Sequence, residues 1–76
     1  MSQRLIRYDS HARMRMRQRG ITEAMVEQAI RNPVIERPGT TPGTFVREAE
    51  INGRMLAVAF ELRPYEFYVR TVYWRT

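Results

Sequence analysis

A single group able to carry a proton near neutrality sits among fixed cations close to the start of this 76-residue chain. The run Ser10 to Ile21 reads Ser-His-Ala-Arg-Met-Arg-Met-Arg-Gln-Arg-Gly-Ile; it holds the sole histidine and four of the thirteen basic residues. At helical periodicity His11, Arg15 and Arg19 fall at i, i+4 and i+8, on one stripe. Arg13 and Arg17 form a second stripe, and Ala12 and Met16 lie between the two as a narrow apolar strip for packing. An unperturbed imidazole titrates near neutral pH, so His11 is the natural general acid or base. Guanidinium groups stay protonated, so Arg15 and Arg19 could clamp an anion such as phosphate but could not act as bases. The plainer reading of the same residues is a histidine that caps or packs at a helix start, arginines paired with carboxylates, and a solvated face at Arg13 and Arg17.

The formal charge of +5 and the pI of about 10.7 favour phosphate-rich partners. All thirteen basic residues are arginine. Either guanidinium is used for its bidentate grip on phosphate and its stacking on bases, or the source genome replaces lysine throughout. The clustering of charge stands under both explanations. The absence of cysteine removes disulfides, thiolate nucleophiles and thiolate metal sites. It fits a reducing cytosol, so a cytoplasmic location is expected. A lone histidine argues against a histidine-rich metal site, and nothing implies a cofactor. There is no glycine-rich phosphate loop and no nucleophile elbow. No stretch approaches the roughly 20 apolar residues of a membrane span, and no N-terminal run reads as a signal peptide.

At this length one domain over residues 1–76 is expected, with one modest core. The Leu5-Ile6-Arg7-Tyr8 run is a strand or an extended lead-in. Asp9 or Ser10 offers a cap for helix one, which runs to about Arg19 and stops at Gly20. Thr22 caps helix two, whose Met25, Val26, Ala29 and Ile30 share one arc; Asn32-Pro33 ends it. Val34 to Glu36 reads as a short strand and Pro38 to Gly43 as a loop. From Thr44 the period changes to two. Strands are expected at Thr44 to Ile51, Arg54 to Leu62 and Phe67 to Trp74, joined by a type I′ turn at Asn52-Gly53 and a turn at Pro64-Tyr65.

The Asn-Gly turn sets the register. Ile51 should oppose Arg54, Ala49 Leu56, Arg47 Val58 and Phe45 Phe60, all on one face. With a two-residue loop at Pro64-Tyr65, Phe67, Val69, Thr71 and Tyr73 join that face, which the helices should cover. The other face would carry Val46, Glu48, Glu50, Met55, Ala57, Ala59, Glu61, Tyr68, Arg70, Val72 and Trp74. Its small centre and charged, aromatic rim describe a shallow open surface suited to a ligand or to a second copy of the chain.

The run His11-Ala12-x-x-Arg15-Met16-x-x-Arg19-Gly20-Ile21-Thr22 resembles the opening of a small bacterial domain-of-unknown-function family grouped with the BrnT and RelE/ParE-like toxins. Ala29-Ile30-x-Asn32-Pro33, Leu56-x-Val58 and Val69-x-Thr71-Val72-Tyr73 match it as well. The resemblance implies an α+β fold: two N-terminal helices packed on one face of a three- to four-stranded antiparallel sheet, as in RelE-like folds. It implies a toxin-like protein that binds RNA, cleaves it through attack of the ribose 2′-hydroxyl, and is neutralised by an acidic antitoxin protein. On that reading His11 moves the proton, and Arg15, Arg19 and Arg70 hold the scissile phosphate. Glu48 and Glu50 are further proton carriers. Arg13, Arg17 and Arg54 add contacts to nucleic acid, while Tyr68 and Trp74 stack bases. Two rivals stand beside it: a non-catalytic nucleic-acid-binding module on the same fold, and an interaction module that forms a homodimer through the open sheet face.

Overall fold

The structure, a computed structural model, describes residues 4–76. In chain order the elements are β1 (Leu5–Tyr8), α1 (Ser10–Arg19), α2 (Glu23–Arg31), β2 (Ile35–Pro38), β3 (Thr44–Ile51), β4 (Arg54–Leu62) and β5 (Glu66–Trp74). Local chemistry sets both helix boundaries. The Asp9 carboxylate accepts the backbone N–H of His11 at 3.0 Å and so caps α1. Gly20 adopts φ +66°, which lets it and Ile21 return their N–H groups to the carbonyl of Met16. The hydroxyl of Thr22 accepts from Met25 N–H at 3.2 Å and starts α2. Both helices lie on the same side of one sheet, α1 over β5 and α2 over β3 and β4.

The α+β class holds, but the sheet is larger than expected and mixed. Five strands follow the order β1-β5-β4-β3-β2, with β1 parallel to β5 and every other pair antiparallel. The four-residue strand β1 finds its partner some 60 positions away. Nothing in so short a run announces a pairing that distant. Strand β2 starts one residue later than expected and extends to Pro38, a residue tolerated on an edge strand because its missing N–H faces outward.

Register between β3 and β4 is the expected one, from Ile51↔Arg54 to Phe45↔Phe60. Asn52 and Gly53 take φ of +52° and +82°, the pair of left-handed residues that a type I′ turn demands. Strand β5 departs from the expectation at one residue. Phe60 pairs with Val69, yet Ala59 pairs with Thr71, so Arg70 is extra. This β-bulge reverses every side chain beyond it. Val72 and Trp74 turn onto the helix side, where Val72 is fully buried and Trp74 packs against the core. Thr71 and Tyr73 turn onto the other face. The reversed placement puts the larger apolar area against the helices, because Val72 seals beneath α1 better than Thr71 could. The core between helices and sheet is built on Val26, Ile30, Leu56, Val58, Phe60, Val69 and Val72, each at 1 % exposure or less.

Candidate functional site

At the seam between the start of α1 and strand β5, side chains distant in sequence meet. Asp9 accepts two hydrogen bonds there, from His11 N–H at 3.0 Å and from the Tyr68 hydroxyl at 2.8 Å. The Tyr68 bond, then the His11 bond, hold the Asp9 carboxyl below its usual range, and the nearby charges of Arg70 and His11 act in the same direction. The same bond to Asp9, with burial and the Asp9 charge, pushes the Tyr68 phenol upward against the opposing pull of Arg63 and Arg70. At neutral pH the pair is therefore a carboxylate and a protonated phenol. Tyr68 is thereby suited to donating a hydrogen bond and ill-suited to losing its proton. Arg63 lies over its ring, 4.0 Å from the centroid. His11 is exposed, and Arg15 donates Nε–H towards its Nε2 at 3.4 Å while bonding Gln18 at 3.1 Å. The Arg70 side chain is 57 % exposed and has a loose contact, 3.7 Å, with Glu61.

Beside this seam the helix-free face is a cleft rather than an open plane. Its volume is about 560 Å³, and Arg37, Thr40, Val46, Ala59, Arg70, Thr71 and Tyr73 are among its lining residues. The rest of the face is roofed by charge. Glu48 is 0 % exposed, gripped by Arg37 from β2 and by Arg75 beyond the end of β5 at 3.0 Å. Arg37 also donates to the Tyr73 hydroxyl at 3.0 Å. Burial pushes the Glu48 carboxyl up, but the hydrogen bonds from Arg37 and Arg75 outweigh it and hold the group ionised, below its usual range.

A family model described as Domain of unknown function (DUF4258) matches residues 8–74, which spans the chain from the last residue of β1 to the last of β5. The chain belongs to the DUF4258 family. No curated protein and no solved structure matches it.

The DUF4258 fold sorts the expected site residues into three groups. His11, Tyr68 and Arg70 gather around Asp9 at the seam, and Arg15 lies against His11. Arg19 does not: its guanidinium donates to the Val72 carbonyl at 2.8 Å, and its own carbonyl accepts Trp74 Nε1–H at 2.9 Å. The third member of the expected stripe therefore latches the end of α1 to the end of β5. Arg13 pairs with Glu23 and covers the Tyr8 ring at 4.2 Å, on the side away from the seam. Arg17 is exposed and shares a shallow surface groove with Arg13. Arg54 stacks on Trp74 at 4.2 Å, at the far end of the sheet.

Three expectations about faces are corrected. Trp74 sits on the helix side because of the bulge, so the expected stacking platform on the open face is absent. Tyr73, expected against the helices, lines the cleft instead. Glu48, expected on a solvated face as a proton carrier, is sealed and doubly paired, which leaves it no access to a substrate proton. Two residues gained importance only with the fold: Asp9, whose capping role was legible but whose bond to Tyr68 was not, and Arg37, which nothing in its local sequence marks. The bulge did leave a trace. In Phe67-Tyr-Val69-Arg-Thr-Val72-Tyr-Trp74 the apolar alternation slips by one residue at Arg70.

Proposed function

We propose that this DUF4258 domain is a toxin-like RNA-binding protein, akin to the BrnT and RelE/ParE-like toxins, that grips RNA phosphate at the seam between α1 and β5. One observation carries this reading. Exposed His11 and exposed Arg70 both act on Asp9 from elements more than 50 residues apart, Arg15 lies against His11, and Arg70 also lines a cleft that has no carboxylate among the described residues. The resemblance of the His11 to Thr22 run to those toxins supports it, and so does the +5 charge, which would also suit an acidic antitoxin as partner. The seam offers parts for strand cleavage by the ribose 2′-hydroxyl. His11 would take the 2′-hydroxyl proton as that oxygen bonds phosphorus, the P–O5′ bond would break to leave a 2′,3′-cyclic phosphate, and water would protonate the departing 5′-oxygen while Arg15 with Arg70 neutralise charge gathering on phosphorus. With Glu48 sealed and Tyr68 held as a phenol, taking the proton would fall to His11; Glu50, the other expected carrier, lies exposed at the hairpin end of β3.

Labelled RNA binding and turnover separate the roles. Arg15→Ala with Arg70→Ala should weaken binding severely. His11→Ala should keep binding and end cleavage. Wild-type affinity in the double arginine variant would overturn the reading. A second reading, an interaction module, is favoured by the exposed apolar residues at both sheet edges: Leu5 at the start of β1, and Val34 with Ile35 at β2. Sedimentation of Ile35→Lys decides it: conversion of a dimer to a monomer, with no RNA bound by either form, would replace the first reading with the second.

A further inference from the structure

The cleft on the helix-free face combines a flat floor, a rigid wall and an uneven charge. Its floor is a single cross-strand row in which Arg37 pairs with Val46, Val46 with Ala59 and Ala59 with Thr71. Three small side chains thus lie flat between longer ones. Arg37 and Tyr73, joined by their 3.0 Å hydrogen bond, stand along it, and the bulge delivers Arg70 to its lining from β5. The tight turn at 39–43 closes the β2 end. That turn is held by Gly39 N–H to the Thr44 carbonyl at 2.8 Å, Leu62 N–H to the Gly43 carbonyl at 2.9 Å and the Thr44 hydroxyl to the Thr41 carbonyl at 2.5 Å. Gly39 presses so close that a Cβ there would lie 2.2 Å from Thr44 Oγ1. The wall is therefore preformed.

The charge balance is one-sided. Among the described residues two guanidiniums and no carboxylate line the cleft. Arg37 shares Glu48 with Arg75, two cations on one anion, which leaves a surplus of one positive charge beside the cleft. Arg70 meets Glu61 only at 3.7 Å, and Glu61 already pairs with Arg63 at 3.2 Å. An aromatic ring, a small-residue floor and paired guanidiniums are the elements that recognise a base and its phosphate together. A volume of about 560 Å³ falls among small-ligand sites.

We infer that the cleft is a nucleotide subsite: it takes the phosphate of one nucleotide at Arg70 and Arg37 and the base against Tyr73. The inference rests on the RNA-binding reading for the source of that nucleotide, a unit of a bound strand; a free nucleoside monophosphate offers the same chemistry. Titrating isotope-labelled protein by NMR with 5′-AMP, adenosine, inorganic phosphate and a short oligoadenylate tests it. AMP and the oligomer should shift the amides of Ala59, Thr71, Tyr73 and the 39–43 turn, and adenosine or phosphate alone should bind far more weakly. Arg70→Ala, at an exposed position, should weaken AMP binding by about tenfold or more, the scale of a charge-assisted contact. Ala59→Met, which fills the floor without altering charge, should do the same. AMP binding that survives Ala59→Met, or shifts that avoid the cleft, would overturn the subsite. An oligomer that binds through His11 and Arg15 with no shift in the cleft overturns the subsite and spares the RNA reading. AMP held in the cleft with no affinity for the oligomer does the reverse.

Discussion

Glu48 and its two arginines do not carry equal weight. The carboxylate is fully buried, whereas the side chains of Arg37 and Arg75 are 39 % and 52 % exposed. Deleting the carboxylate releases two guanidiniums that can turn to water. Deleting Arg37 leaves a sealed anion with one partner. Arg37→Met should therefore cost more, about 1–3 kcal/mol, than Glu48→Gln, at about 1 kcal/mol or less. Urea midpoints of the two variants check the order. The pH dependence follows from the same site. The folded-state pKa of Glu48 lies below its ordinary value, so its stabilising effect is complete above about pH 4.3 and is lost as pH falls through the folded value. Unfolding free energy should drop at acid pH, and Glu48→Gln should flatten that drop. The sequence places Glu48 on the helix-free face correctly but gives no sign of its burial. The groups that roof it arrive from β2 and from beyond β5.

At the scale of elements, caps and turns are written beside the elements they bound, so they were legible. Gly20 at φ +66° has nothing within 4 Å of an added Cβ, so Gly20→Ala meets only backbone strain. It should cost about 1 kcal/mol and lower the melting temperature by about 4–8 °C. A calorimetric scan decides. The bulge is a different matter, since its position is set by what lies across β4 and under α1. Deleting Arg70 would restore plain alternation and aim Trp74, the sole tryptophan, away from the helices. Its fluorescence should shift to the red, with loss of cooperative unfolding. A blue emission and a sharp transition in that deletion variant would mean the sheet can reseat itself without the extra residue.

For the whole molecule the decisive quantity is unbalanced charge. Carboxylates meet Arg7, Arg13, Arg31, Arg37, Arg47, Arg63 and Arg75 across the surface, yet the net charge remains +5. Among the described residues Arg4, Arg15, Arg17, Arg19 and Arg54 meet no side-chain carboxylate and Arg70 meets one only at 3.7 Å; of these the fold sets Arg15 against His11 and Arg70 at the cleft. If about five phosphates are gripped, log affinity for single-stranded RNA should fall with log salt at a slope of about −3 to −5. A flat salt response would remove phosphate contact as the basis of binding. Among the described residues no helix is long and apolar enough to cross a membrane.

Residues near in sequence determined much by themselves: the ends of both helices, the Asn52-Gly53 hairpin with its register, and the cationic character of α1. Each depends on a cap, a turn conformation or a periodicity contained within a few neighbours. The tertiary structure alone decided that β1 runs parallel beside β5, that Glu48 is sealed, and that Arg19 latches while Arg70 comes near Asp9; it also completed the change of face beyond Arg70, which the sequence marked only as a slip in alternation. Those outcomes turn on which of two side chains covers the core better and on ion pairs between distant strands. Such energies exist only once the chain has closed on itself.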